Sequence, residues 1–403
     1  MKHTFDFKPK TILLALGGLL LVASHTAYAD SFSWGYNLYN QLGNATNLSN
    51  NSPSLISNGS KFIMIDGSSY NSIALKSDGS VWTWGYFYQG TLGDGITTTS
   101  NVPIAVALNN VVAVTAGASF AMALKTDGSV WSWGANQFFQ LGNGSNVDSP
   151  VPVQSSVSNV IAISAEFSQA MALKDDGTVW AWGSNVYGQA GTDASIIQTP
   201  TQILDDTDRP ITHITMISAG RYHSALLKSD GTVWLTGRTG STTVNRATQV
   251  VGLSGIKEID AGYEYTLALK NDGTVWAWGV NWFGNLGDGT TTERLTPVQV
   301  TEANGQNLSK VTRISAFTQS MAVKDDGSVW TWGYGGYGQL GHGTSMTQSF
   351  AQKVVALSGV NVNAVAAGDD HSFAYVAAMS EIHFQDLDED NDDEHDHTDD
   401  PDD

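Results

Sequence analysis

One phrase of fourteen residues, Thr266–Gly279, reads Thr-Leu-Ala-Leu-Lys-Asn-Asp-Gly-Thr-Val-Trp-Ala-Trp-Gly, and most of the chain is built from copies of it. Two apolar runs flank Asn271-Asp272-Gly273, a pattern that predicts a β-hairpin with positive φ angles at a tight, primed Asp-Gly turn. Leu267, Leu269, Val275 and Ala277 fall on one face and Trp276 and Trp278 on the other, so neither face is polar. A sheet apolar on both faces must be covered on both, and a lone hairpin cannot do that. The copies therefore have to stack on one another.

Trp-Gly pairs stand at Trp34-Gly35, Trp84-Gly85, Trp133-Gly134, Trp182-Gly183, Trp278-Gly279 and Trp332-Gly333, with Thr236-Gly237 as a degenerate seventh. Asp-Gly turns precede six of the seven, at Asp78, Asp127, Asp176, Asp230, Asp272 and Asp326. The first Trp-Gly has no such turn, and Ser31–Gly35 is an orphan outer strand. The last repeat has the opposite lack: Val360–Val376 carries inner strands and no Trp-Gly. Each end supplies what the other misses, which predicts an all-β ring of seven four-stranded blades closed by the N-terminal strand, with no open edge.

Loops such as Tyr334–Gly341 follow each Trp-Gly, and the full order is Ala-Gly-x-x-His-Ser/Thr-x-Ala-Leu-x-x-Asp-Gly-x-Val-Trp-x-Trp-Gly-x-Asn-x-Tyr-Gly-Gln-Leu-Gly. This resembles the repeat of the regulator of chromosome condensation family, whose fold is a seven-bladed β-propeller, and the resemblance covers almost all of residues 30–378. The chain is also similar in architecture to a secreted β-lactamase inhibitor propeller, which acts outside the cell by gripping a protein with its loops. The family's best-known activities, guanine-nucleotide exchange on a nuclear GTPase and chromatin binding, are not expected here. No exchange-factor residue matches beyond the repeat itself.

The charge balance points the same way. The chain has 19 basic against 39 acidic residues, a net charge of −20, and such a surface repels nucleic acid. Residues 1–29 have the form of a cleaved export signal: Lys2, Lys8 and Lys10, an apolar run Ile12–Ala23, then Ala27-Tyr28-Ala29. That run is shorter than the roughly 20 residues of a membrane span. A secreted or periplasmic protein is expected, monomeric and without a membrane span. There is no cysteine, which excludes disulfides and thiolate chemistry. Residues 379–403 read as a disordered acidic tail, with 13 acidic residues and no Lys or Arg in Glu381–Asp403. Asp386, Asp388, Asp390 and Asp392 have the spacing of a calcium loop, but Asn391 stands where Gly is required and His397 where a bidentate Glu is required. Weak Ca²⁺ binding is the most this supports, and no other cofactor is implied.

No catalytic constellation stands out. His223 and His371 occupy a repeat slot filled elsewhere by Asn71, Phe120, Gln169, Tyr265 and Gln319, which reads as packing. A protein partner is expected to meet loop residues instead. Trp282 is outside the repeat's Trp positions, where other blades carry Leu38, Tyr88, Gln137, Val186 and Gly336. The aromatics one position later, Tyr39, Phe138, Tyr187, Phe283 and Tyr337, read as structural. A second variable ring precedes the His slot. The candidate contacts are Trp282, Tyr88, Tyr70, Phe167, Arg221, Tyr222, Tyr263, Glu264 and Phe317. The resulting expectation is a non-catalytic protein-binding propeller, inhibitor-like or adhesive, with a carbohydrate- or envelope-binding lectin as the alternative.

Overall fold

The computed structural model describes residues 30–57, 61–96 and 98–376. The proposed export signal and acidic tail, including Asp386, Asp388, Asp390 and Asp392, lie outside these residues. The described chain forms 28 strands, β1 (Phe32–Gly35) to β28 (His371–Tyr375), in seven four-stranded antiparallel sheets.

The founding phrase is a hairpin of β20 (Tyr265–Lys270) and β21 (Val275–Gly279), with Leu267 opposite Ala277 and Ala268 opposite Trp276. Its turn differs from the primed type. Only Gly273 has a positive φ, at 81°. Gly273 N–H donates to Lys270 O at 3.0 Å and Lys270 N–H to Thr274 O at 2.9 Å, the three-residue loop in which glycine forms the bulge. Asp272 therefore acts through its side chain, accepting from the Thr274 N–H at 3.0 Å and the Thr274 hydroxyl at 2.6 Å. The same hydroxyl accepts from Trp276 Nε1.

Ring closure takes two N-terminal strands rather than one. The seventh blade runs β2 (Asn50–Leu55), β1, β28 and β27 (Ala364–Ala367), with Phe32 opposite Ala374 and Trp34 opposite Ser372. Trp34 is fully buried and Phe32 only partly.

Two devices join neighbouring blades. Along the inner strands, Asp66, Thr115, Ser164, Ser218, Asp260 and Ser315 each accept the backbone N–H of an alanine in the next blade. The chain of bonds breaks at the closure seam, where Ala366 offers no acceptor and Gly67 N–H turns to Asp66 Oδ1 at 2.9 Å. Further out, the second Trp of a blade donates its Nε1 to a loop carbonyl of the preceding blade: Trp34 to Gln339, Trp84 to Gln41, Trp133 to Thr91, Trp182 to Gln140 and Trp332 to Asn285. This explains the Gln-Leu-Gly signature. The leucine is buried, and a Cβ on Gly43 would stand 2.7 Å from the Trp84 indole.

Candidate partner-binding surface

In each blade the loop before the slot residue and the loop after Trp-Gly are separated by two antiparallel strands, so both emerge at one end of the ring. The Asp-Gly turns emerge at the other. The two variable rings thus share a face and touch: Tyr36 N–H donates to Asp370 O at 2.8 Å, and the Tyr187 and Tyr222 ring centroids are 4.6 Å apart.

The loops are rigid because an inward asparagine holds them. Asn281 is fully buried; its Oδ1 accepts from Leu286 N–H at 3.0 Å and its Nδ2 donates to the Thr290 and Thr292 carbonyls. Asn37, Asn136 and Asn185 act in the same way. The next residue is then forced outward, which leaves Trp282 63% exposed, with Leu38 and Val186 similarly placed; Tyr88, also exposed, follows Phe87 in a loop tied by the Thr91 hydroxyl.

The structure divides the other sequence candidates. Tyr70 is exposed, and Phe167, Arg221, Tyr222 and Tyr263 are half-buried in one cluster. The Arg221 guanidinium lies over Phe167 at 4.5 Å and Tyr263 at 4.2 Å, and its Nε donates to the Tyr222 hydroxyl at 3.0 Å. Burial pushes the Tyr263 hydroxyl up to about 12, so it stays protonated. Two candidates are corrected. Glu264 is 3% exposed, its carboxylate paired with Arg238 at 2.9 Å; the shortened Arg238–Ala247 connection brings that arginine into reach. Phe317 is 5% exposed and packs with Trp34 and Met321. Its loop is one residue shorter than its counterparts, so Phe317 takes the place filled by Gly220, Gly262 and Gly368 and turns inward.

Sequence reasoning missed an aromatic arc. Tyr39, Phe283 and Tyr337 are not interior props: Phe283 and Tyr337 are exposed, and with Tyr36, Tyr70, Tyr86, Tyr88 and Tyr334 they form a chain of ring contacts at 4.7–6.4 Å. The signal available was a loop position that is aromatic in five blades.

The slot residues, by contrast, are buried staples. His223 Nε2 meets the Thr266 hydroxyl at 2.9 Å, the Tyr265 hydroxyl meets Ser320 at 2.7 Å, Gln319 donates to Ser372 at 2.9 Å, and His371 Nε2 meets Ser72 at 3.3 Å. Gln169 donates to Ser224. Phe120 precedes a blade carrying Ala170 instead, and Asn71, which precedes Ala121, accepts from Ser68 of its own blade, so in five blades the slot pairs with its neighbour's hydroxyl. Burial pushes both histidines down to about 3, which keeps them neutral. Among the described residues no group of three or more His, Cys, Asp or Glu could hold a metal, and no helix is long and apolar enough to cross a membrane.

These features define a repeat propeller with one uniform end and one variable, aromatic end. The chain belongs to the Regulator of chromosome condensation (RCC1) repeat family, whose repeat matches residues 31–75, 78–124, 127–170, 176–227, 272–316 and 326–375. The unmatched stretch between the fourth and fifth matches contains the degenerate Thr236-Gly237. The chain is 35% identical over 97 residues to the ultraviolet-B receptor UVR8 of Arabidopsis thaliana, 24% of this chain and 22% of that protein. It is 27% identical over 188 residues to the E3 ubiquitin-protein ligase HERC2 of Homo sapiens, 44% of this chain and 4% of that one. These matches span less than a quarter of the relatives' own length. Among solved structures, yeast RCC1 (Prp20) bound to Kap60 aligns with a TM-score of 0.76 at 19% identity, covering 90% of this chain and 96% of that one. Human WBSCR16 aligns at 0.73 and 19% identity, covering 87% and 100%. Both likenesses establish the fold.

Proposed function

We propose that this chain is an exported, monomeric, non-catalytic propeller that grips a protein partner with the loop end of its ring, as an inhibitor or adhesive scaffold. The observation that carries the reading is Trp282, a large apolar side chain held in solvent by a loop that its neighbour Asn281 locks in place. Exposed aromatics on a rigid scaffold are the usual anchors of protein interfaces. A yeast member of the family was crystallised bound to Kap60, which supports protein binding as a use of such a ring. The non-catalytic reading is supported by His223 and His371, both neutral and engaged between blades. Export rests on residues 1–29, and the excess of acidic residues argues against a nucleic-acid partner.

The test is recovery of partners from the protein's own culture medium, followed by calorimetry with wild type, Trp282→Ala and Tyr88→Ala. At least one variant should lose about 2 kcal/mol or more of binding with its melting temperature intact. Wild-type affinity in both variants moves the contact elsewhere, and binding confined to a glycan array replaces this reading with the carbohydrate one.

A further inference from the structure

At the loop end of the ring, an arc of tyrosines runs beside a partly exposed acid, Asp370. Tyr36 and Tyr337 stand 4.8 Å apart, Tyr36 and Tyr39 5.9 Å, and Tyr39 and Tyr70 4.7 Å, with interplanar angles of 55–61°. These contacts join the four rings into one continuous tilted row. Asp370 is tied to this row through its backbone, whose carbonyl accepts the Tyr36 N–H at 2.8 Å. Its charge helps raise the Tyr36, Tyr70 and Tyr334 hydroxyls, which puts the carboxylate in their neighbourhood.

Nothing in the described chain answers that carboxylate. No described group donates a hydrogen bond to it, and its immediate charged neighbour is another acid, Asp369. Asp369 has the Ser69 hydroxyl and, at longer range, Arg221. That arginine is held by Phe167, Tyr263 and the Tyr222 hydroxyl. Lys76, Lys125, Lys174, Lys228, Lys270 and Lys324 all lie at the opposite end of the ring, each over a Trp face. Burial and the adjacent Asp369 push Asp370 up to about 7, the cost of holding an acid here without a cation.

We infer that Tyr36, Tyr39, Tyr70 and Tyr337 together with Asp370 form a cradle that receives a lysine or arginine side chain of the partner protein. The rings offer their negative faces to the cation, and Asp370 accepts its hydrogen bonds. A divalent metal is a poorer fit, because it takes six or more oxygen ligands and among the described residues no group of three His, Cys, Asp or Glu gathers here. The inference rests on the loop end being the recognition surface and names the chemistry that surface reads.

The experiment probes the full-length chain with an array of twelve-residue peptides whose fixed central residue is Lys, Arg, Glu or Leu. The Lys and Arg sets should bind roughly tenfold better than the Glu and Leu sets. Asp370→Asn should bring the four sets to parity, and Tyr39→Ala should weaken only the cationic sets. Asp370→Asn removes a charge that has no donor, so its melting temperature should not fall; Asp369→Asn is the control for a general loss of acidity, and it should keep most of the preference. Equal binding of all four sets by wild type, or a cation preference that survives in Asp370→Asn, overturns the proposal. The two readings separate cleanly. Partner binding lost in Trp282→Ala but untouched by Asp370→Asn removes the cradle and leaves the loop-end reading. Cation preference at the cradle with no protein partner on the loop end does the reverse.

Discussion

The two ends of this ring are made from the same repeats and behave oppositely. At the turn end, six blades carry one network: an Asp accepts from the Ser or Thr two residues on, that hydroxyl accepts from the blade's first Trp, and a Lys lies over the same indole. The Ser or Thr hydroxyl holds each Asp below the usual carboxylate range. At the loop end, the outward position reads Leu38, Tyr88, Gln137, Val186, Trp282 and Gly336 around the ring. Repetition marks residues whose partners lie inside the fold. The varying loop residues are exposed instead, and it is on them that the proposed recognition rests.

The largest effect should come from opening the ring. Deleting Ser31–Leu55 removes β1, β2 and the fully buried Trp34. Loss of one such aromatic costs about 3–5 kcal/mol, and two strands of ladder go with it, against a typical domain margin of roughly 5–15 kcal/mol. Calorimetry should show no cooperative transition near the wild-type temperature; an unchanged transition contradicts the closure.

A change of pH should produce the next largest shift. Burial raises Asp66 and Asp260 to about 6 and Glu258 and Asp370 to about 7. Asp66 and Asp260 keep partial exposure because they border the axis of the ring. An acid with a raised folded pKa stabilises at low pH, and that contribution is lost as pH rises through the folded value. His223 and His371, lowered to about 3, work the other way and lose stability as pH falls below about 6.5. The four acids outnumber the two histidines, so the melting temperature should be higher near pH 5 than near pH 8. A rise across that range contradicts the assignment, and Asp66→Asn should flatten the profile.

A smaller difference separates two tryptophans. Trp182 Nε1 donates to Gln140 O at 2.8 Å, whereas Trp278 Nε1 is buried without a partner because the preceding blade's loop is the shortened one. Trp182→Phe should cost about 0.5–1.5 kcal/mol more than Trp278→Phe, the worth of one buried hydrogen bond. Equal costs would mean that the loop carbonyls contribute little. The smallest effect belongs to the loop tip. Trp282→Ala should leave stability within about 0.5 kcal/mol of wild type, and a larger loss makes Trp282 part of the scaffold.

Much of this was legible in the sequence. Asp-Gly turns mark six of the seven blades and Trp-Gly pairs mark six, and the complementary ends reveal the closure. The shared face of the two variable rings emerged only once the strands were placed, with two of them between one loop and the next. The slot became readable only when set beside the following blade: Gln169, His223, Tyr265, Gln319 and His371 face Ser or Thr, and Phe120 faces Ala170. Phe317 and Glu264 were misplaced for local reasons, a one-residue deletion and a shortened loop that delivers Arg238. The tyrosine arc was hidden because an aromatic that recurs in a repeat reads as core, although a locked loop can hold it half in solvent.

The division of labour between the two ends is tested most directly by photo-crosslinking. A benzophenone side chain is placed at Trp282, Tyr88 or Leu38 on the loop end, and at Asn271 or Asp325 on the turn end, and each variant is irradiated with the recovered partner. Crosslinks at the loop-end positions and none at the turn end are the predicted result; crosslinks confined to Asn271 or Asp325 would contradict the account.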